Sequence, residues 1–198
     1  LTTPVNGTVT ITSEAITVDS VGIYAWKVTY GGDKNNKGVT HECGLVDRVN
    51  SERSEVTPTT PELETFATQS ATLAIADGAS VEIFDQATIT GLSEDATGTV
   101  TFEVYGPSDE PVCEDPLATL NAGDIEGLVD ADGKVVVDSP AFEATAPGTY
   151  WWIARYASTS DNNPSLAGEC GDENESTVVT QGEPGIAATG SLCGEDLQ

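Results

Sequence analysis

The side chains able to do chemistry are unevenly supplied along this chain: 33 are acidic, 7 are basic, four are cysteines, and the only histidine is His41. A hydrolytic triad needs an imidazole or an equivalent base within hydrogen-bond reach of its nucleophile. No histidine lies between residues 57 and 181. Paired carboxylates could run glycoside hydrolysis, but in so acidic a chain such pairs arise by number alone and select nothing. The expectation is a protein with no catalytic residues. Zinc is not expected either, because no two cysteines stand in a Cys-x-x-Cys pair and one histidine cannot complete a site. Asp130-Ala-Asp132-Gly133 echoes an oxygen-ligand loop for calcium, but no bidentate glutamate follows at the required distance. It reads as a plain turn, so no metal and no cofactor is expected, with calcium the weaker alternative.

Four cysteines in an acidic, Thr- and Val-rich chain favour an oxidising compartment. Between residues 57 and 181 the available pair is Cys113 with Cys170. Cys43 and Cys193 are left over, with two outcomes open: a bond to each other within the chain, or bonds between chains.

The elements that carry these residues repeat. Gly148-Thr-Tyr-Trp-Trp-Ile-Ala-Arg-Tyr156 has an earlier version in Gly22-Ile-Tyr-Ala-Trp-Lys-Val-Thr-Tyr30. Aligning residues 6–30 with 132–156 needs no gap and gives eight identities in twenty-five positions. One residue of slip then sets Asn35-Asn36 on Asn162-Asn163, and Glu42-Cys43-Gly44 on Glu169-Cys170-Gly171. The offset of 126 to 127 residues is the size of a domain rather than of a solenoid repeat. In an extended strand Tyr150, Trp152, Ala154 and Tyr156 share one face. That face stays apolar or aromatic in the earlier copy, whereas the other varies from Trp151 to Ala25, Ile153 to Lys27 and Arg155 to Thr29. The predicted core is therefore Tyr24, Trp26 and Tyr30 in one copy and Tyr150, Trp152 and Tyr156 in the other, with Trp151 half-exposed.

Without methionine, and without a long apolar stretch of 3.6-residue period, the chain is expected to be all-β. Strands are predicted over 7–18, 24–30 and weakly 38–46 in the first part, the weak one continuing through Glu55. In the second part they are predicted over 64–73, 80–90, 98–105, 134–144, 148–156 and 175–180. The stretch up to Asp132 is predicted irregular, with at most a helical turn in 116–129. Six or seven short strands punctuated by turns describe a two-sheet sandwich. The expected organisation is 1–57 as the C-terminal half of one unit, 58–181 as a complete unit, and 182–198 as a linker and the first strand of a following unit.

A net charge of −26 argues against nucleic-acid or anionic-membrane partners bound by charge neutralisation. No stretch approaches the length of a membrane span, so membrane insertion is not expected.

Gly98-Thr-Val-Thr-Phe-Glu-Val-Tyr-Gly106, Ala146-Pro-Gly-Thr-Tyr150 and the Asn162-Asn163 loop, in that order, resemble bacterial immunoglobulin-like (Big-type) repeats. Tyr105-Gly-Pro107 followed by Cys113, and the later Glu169-Cys-Gly171, are similar to the variant found in large surface proteins of high-GC Gram-positive bacteria. The resemblance covers 57–181 and recurs in part over 1–57. It implies an immunoglobulin-like β-sandwich in tandem, an extracellular cell-surface location, and service as a spacer, stalk or adhesive module. Its partners would be neighbouring repeats or chains of the same protein, and a host or surface ligand would be of unknown identity, with Trp151 the candidate aromatic contact. Such domains sometimes close covalent cross-links on themselves. Here Lys134 is the only lysine between 57 and 181 and follows a turn, which argues against a Lys–Asn link, while a Thr–Gln ester from Thr65 or Thr68 to Gln181 is sterically conceivable. The alternative to a stalk is a filament subunit. Three strands of half a sandwich would leave an open apolar face that a segment of another chain could complete.

Overall fold

The computed structural model describes residues 7–41, 43 and 52–185. The chain divides into two compact units, Leu1–Pro58 and Thr59–Gln198, and among the described residues regular structure is all strand, with no helix.

Among its described residues the first unit contains two strand pairs. β1 (Gly22–Ala25) runs antiparallel to β4 (Arg53–Val56), with Tyr24 opposite Ser54. β2 (Thr29–Tyr30) pairs with β3 (Val39–Thr40), with Tyr30 opposite Val39. Asp33 closes the turn between β2 and β3 by accepting from the Asn36 side-chain amide, from the Asn35 and Asn36 backbone amides and from the Tyr30 hydroxyl. These bonds, those of Asn36 above all, hold its carboxyl down at about 2. The strand predicted over 7–18 is not formed: residues 9–19 have no regular structure. A strand needs a continuous ladder of backbone bonds to a neighbour, and within the predicted 7–18 stretch only an isolated bridge at Thr8 is formed.

Among its described residues the second unit holds eleven strands. β5 (Glu62–Thr65) pairs with β8 (Gln86–Thr90), which also pairs with β11 (Val135–Asp138). β7 (Val81–Ile83) pairs with β12 (Phe142–Ala144). The larger sheet runs β10-β9-β13-β15-β6, built from β6 (Ser70–Leu73), β9 (Gly98–Tyr105), β10 (Ala118–Asp124), β13 (Gly148–Ser158) and β15 (Ser176–Gln181). β14 (Leu166–Ala167) adds to β13.

Alternation of side chains builds the core. Val100, Phe102 and Val104 of β9 and Tyr150, Trp152, Ala154 and Tyr156 of β13 are buried from one side. Ile83, Ala87, Ile89, Val135 and Ala144 come to the same cluster from the smaller sheets. Strands that share one core from separate sheets are consistent with a β-sandwich. Ile153, on the face expected to vary, is also buried at 5 % exposure, because β13 is flanked by β9 and by β14 and β15.

Three strands predicted as continuous are broken. The predicted 64–73 strand is β5 and β6, and the chain changes sheets between them. It pairs antiparallel with β8 first and parallel with β15 afterwards. The predicted strands over 80–90 and 134–144 are likewise interrupted, at Phe84-Asp85 and at Ser139-Pro140-Ala141. There the Asp85 amide donates to Ser139 Oγ at 3.0 Å, and the Ser139 amide to the Asp85 carbonyl at 2.8 Å. The segment predicted to be irregular contains β10, which takes up the free edge of β9 with a bulge between Asn121 and Gly123.

Candidate functional site

Strand phase brings three polar side chains to one place. Along β7 and β8 the inward positions are Ile83, Asp85, Ala87 and Ile89; into β15 they are Glu175, Thr177 and Val179. Along β5 they are Leu63 and Thr65, continued by Ala67. Asp85 and Glu175 therefore stand where the alternation calls for apolar residues, and each is 1 % exposed. The Thr65 hydroxyl donates to Glu175 Oε1.

The backbone around the cluster is fixed by hydrogen bonds. The Ala67 amide donates to the Asn174 carbonyl at 2.9 Å, the Trp152 amide to the Glu175 carbonyl at 2.9 Å, and the Phe66 amide to the Gln86 carbonyl at 2.9 Å. Asn174 has φ of 68°, the only positive value on a non-glycine among the described residues. Asparagine tolerates that left-handed region better than most residues, and the turn delivers Glu175 to the interior.

Burial dominates the electrostatics. It lifts the Glu175 carboxyl to about 8, helped by the negative charges of Asp85 and Asp172. It lifts Asp85 to about 7 against the opposing pull of the Gln86 and Phe66 backbone amides. Glu175 is thus a neutral carboxylic acid at neutral pH, beside a second carboxyl that ionises more readily. Asp85 Oδ2 and Glu175 Oε2 are both buried without a hydrogen-bond partner, against the strong tendency of buried polar atoms to be paired. A cleft of about 510 Å³ opens beside them, lined in part by Thr65, Phe66, Gln86 and Asn174.

Among the described residues no group of three or more His, Cys, Asp or Glu side chains could hold a metal ion. Asp130 spends Oδ1 on the Asp132 and Lys134 amides as a turn residue. Cys113 and Cys170 form a disulfide with Cα atoms 6.0 Å apart. Cys43 is a free, exposed thiol, and Cys193 lies outside the described residues. Tyr150, Trp152 and Tyr156 are buried. In the first unit Tyr24 and Trp26 are only half-buried, and Tyr30, expected in the core, is instead 43 % exposed. Its strand pair has no opposing sheet among the described residues. Trp151 is half-buried and its indole N–H donates to Ser108 Oγ at 3.1 Å.

Thr68 and Gln181 are not joined. The Thr68 hydroxyl donates to the Phe84 carbonyl, and the Gln181 amide to the Leu73 and Ala74 carbonyls. Sequence reading missed Asp85 and Glu175 as site residues. The available signal was two acids lying in phase with core positions, hidden among 33 acidic residues.

No family model matches the chain. A search of curated proteins returns no match.

Proposed function

We propose that the chain is a non-catalytic module of an extracellular bacterial surface protein, serving as a spacer or stalk built of tandem immunoglobulin-like units. The carrying observation is a duplicated hydrogen-bond frame. Tyr24 lies opposite Ser54 as Tyr150 lies opposite Thr177, and Tyr30 lies opposite Val39 as Tyr156 lies opposite Leu166. The Tyr24 hydroxyl donates to the carbonyl of Ser20, and that of Tyr150 to the carbonyl of Ala146, four residues back in both. The Trp26 amide and indole donate to the Glu52 carbonyl and Ser54 Oγ; those of Trp152 donate to the Glu175 carbonyl and Thr177 Oγ1. A tyrosine bonded back to the backbone at the start of a late strand is a feature of immunoglobulin-like sandwiches. A first strand shared between the β8 and β15 sheets also agrees with that reading. The disulfide and the net charge of −26 suit an oxidising exterior.

Mild Glu-C shaving of intact source cells tests the location, since glutamates are plentiful and basic residues few. Peptides from 59–185 should be released while cytosolic markers stay inside. Recovery only after lysis would contradict the proposal.

A second reading, a filament subunit joined by strand exchange, is favoured by exposed apolar side chains in the first unit. Val9, Ile16, Val28 and Tyr30 are 42 %, 61 %, 58 % and 43 % exposed, whereas their sequence counterparts Val135, Ala154 and Tyr156 are buried and Phe142 is half-buried. The occupant would be a strand-forming segment of a second copy. Concentration-dependent oligomers in sedimentation would support it, and a monomer at all concentrations would remove it.

A further inference from the structure

We propose that Thr65 and Glu175 close an ester between the Thr65 Oγ1 and Glu175 Cδ atoms, formed by the protein on itself, with Asp85 as the proton-transfer group. Thr65 ends β5, Asp85 immediately precedes β8 and Glu175 immediately precedes β15; the Thr65 hydroxyl reaches Glu175, and the Asp85 charge acts on the same carboxyl. The hydrogen bond holds the Thr65 hydroxyl oxygen next to the carboxyl group whose carbon it would attack. Two orphaned carboxyl oxygens in an apolar core are otherwise a liability that an apolar pair would avoid.

The chemistry balances without any added reagent. Thr65 Oγ1 bonds to Glu175 Cδ and gives its proton to Asp85. The tetrahedral intermediate then expels the carboxyl OH, which takes the proton back from Asp85 and leaves as water. Nothing is oxidised or reduced, and the chain loses one water molecule. The protonation states required are a neutral acid at Glu175, because a carboxylate resists attack, and a partly ionised Asp85. Burial sets both in that order near neutral pH. Pairs of acids pushed apart in this way are a recurring device for dividing acid and base roles.

Esters give way to hydrolysis in dilute water, so position and dryness must reverse the balance. Fixed reacting groups reach effective molarities on the order of 10⁵ M. Glu175 at 1 % exposure is shielded from returning water. The cleft lined by Thr65 and Asn174 is the exit for the molecule released. The link would tie the end of β5 to the start of β15, residues 110 apart in the sequence and in different sheets. It does not rest on the surface role and stands or falls separately from it.

Intact-mass spectrometry of the purified full chain tests it. The expected mass is that of the sequence, less the hydrogens lost to the disulfide and less one water molecule. Digestion should yield one joined species containing Thr65 and Glu175, which hydroxylamine separates, leaving a hydroxamate on Glu175. Thr65→Val should restore the missing water, Thr65→Ser should not, and Asp85→Asn should slow closure by at least tenfold. Wild-type protein with no water lost, Thr65 and Glu175 recovered in separate linear peptides, or a water loss mapped elsewhere would overturn the link. Closure of Asp85→Asn at the wild-type rate would overturn the part assigned to Asp85. Because the wild-type mass decides the question, a variant that failed to fold would not leave it open.

Discussion

The two units carry the same strand frame and differ in what lies against it. Trp26 and Trp152 both donate their amide to a glutamate carbonyl and their indole N–H to a hydroxyl on the neighbouring strand. Trp152 is fully buried against β9 and the smaller sheets, while Trp26 is half-buried. The glutamates diverge in the same way: Glu175 is 1 % exposed, and Glu52 is half-buried. Local hydrogen bonding is therefore set by the strand pair itself, whereas the core and the buried acid cluster require the opposing sheet. The loops agree with this. Asn163 is buried and ties Thr59 to Ser93 through its side-chain amide, while its counterpart Asn36 only closes a local turn with Asp33.

The comparison breaks most completely if the units are separated. Residues 59–185 expressed alone should melt cooperatively, since 18 buried apolar residues form one cluster there. Residues 1–58 alone should show no cooperative transition, because two isolated strand pairs are at best marginal in water. Circular-dichroism melts of both pieces check this, and a sharp transition in 1–58 would show that its frame is self-sufficient.

Within the full chain the paired tryptophans sharpen the contrast. Trp152→Ala should cost about 3–5 kcal/mol in urea unfolding, as for other fully buried aromatics. Trp26→Ala should cost less than about 1 kcal/mol. Equal losses would mean that Trp26 is as well packed as its twin.

The buried acids give the second unit a pH dependence of definite sign. Folded-state values of about 7 for Asp85 and about 8 for Glu175 are raised, so the folded chain binds more protons than the unfolded one. Their stabilising contribution is full below the ordinary carboxylate range and is lost as pH rises through those values. In Thr65→Val, where both acids titrate, stability should fall by on the order of several kcal/mol between about pH 5 and about pH 9. Wild type with the ester closed should fall less, because only Asp85 remains to titrate. A flat profile in Thr65→Val would remove the buried pair as an energetic feature. Closing a 110-residue span is also worth roughly 4–5 kcal/mol by restricting the unfolded chain.

A more modest effect within the second unit concerns the disulfide. Cys113 and Cys170 are 57 residues apart, and replacing both by serine should lower stability by roughly 2–4 kcal/mol, with the transition of the second unit still cooperative. Melts under reducing and oxidising conditions measure it. No change on reduction would mean that the loop is already held by β9, β13 and β15.

Much of the second unit was legible because periodicity and turn chemistry speak directly. The 98–105 strand was predicted with the bounds that β9 has, and the inward face of β13 followed from comparing the two copies. The acid cluster was illegible for a physical reason. Asp85 and Glu175 look like surface charge until strand phase is known, and phase is uncertain where strands break, as at Phe84-Asp85 and before Ser176. β10 was missed because Ala118–Asp124 has neither clear alternation nor β-branched residues beyond Thr119; the free edge of β9 recruits it. Tyr30 was misplaced because the repeat assigns it the role of Tyr156 without supplying the sheet that would cover it.

Amide hydrogen exchange at Trp26 and Trp152, followed in the same sample of dilute full chain, tests the central contrast most directly. The Trp152 amide should exchange only through global unfolding of its unit, and the Trp26 amide orders of magnitude faster, despite their equivalent bonds to Glu175 and Glu52. Equal, strong protection of both amides at every concentration would contradict the claim that one frame is covered and the other open.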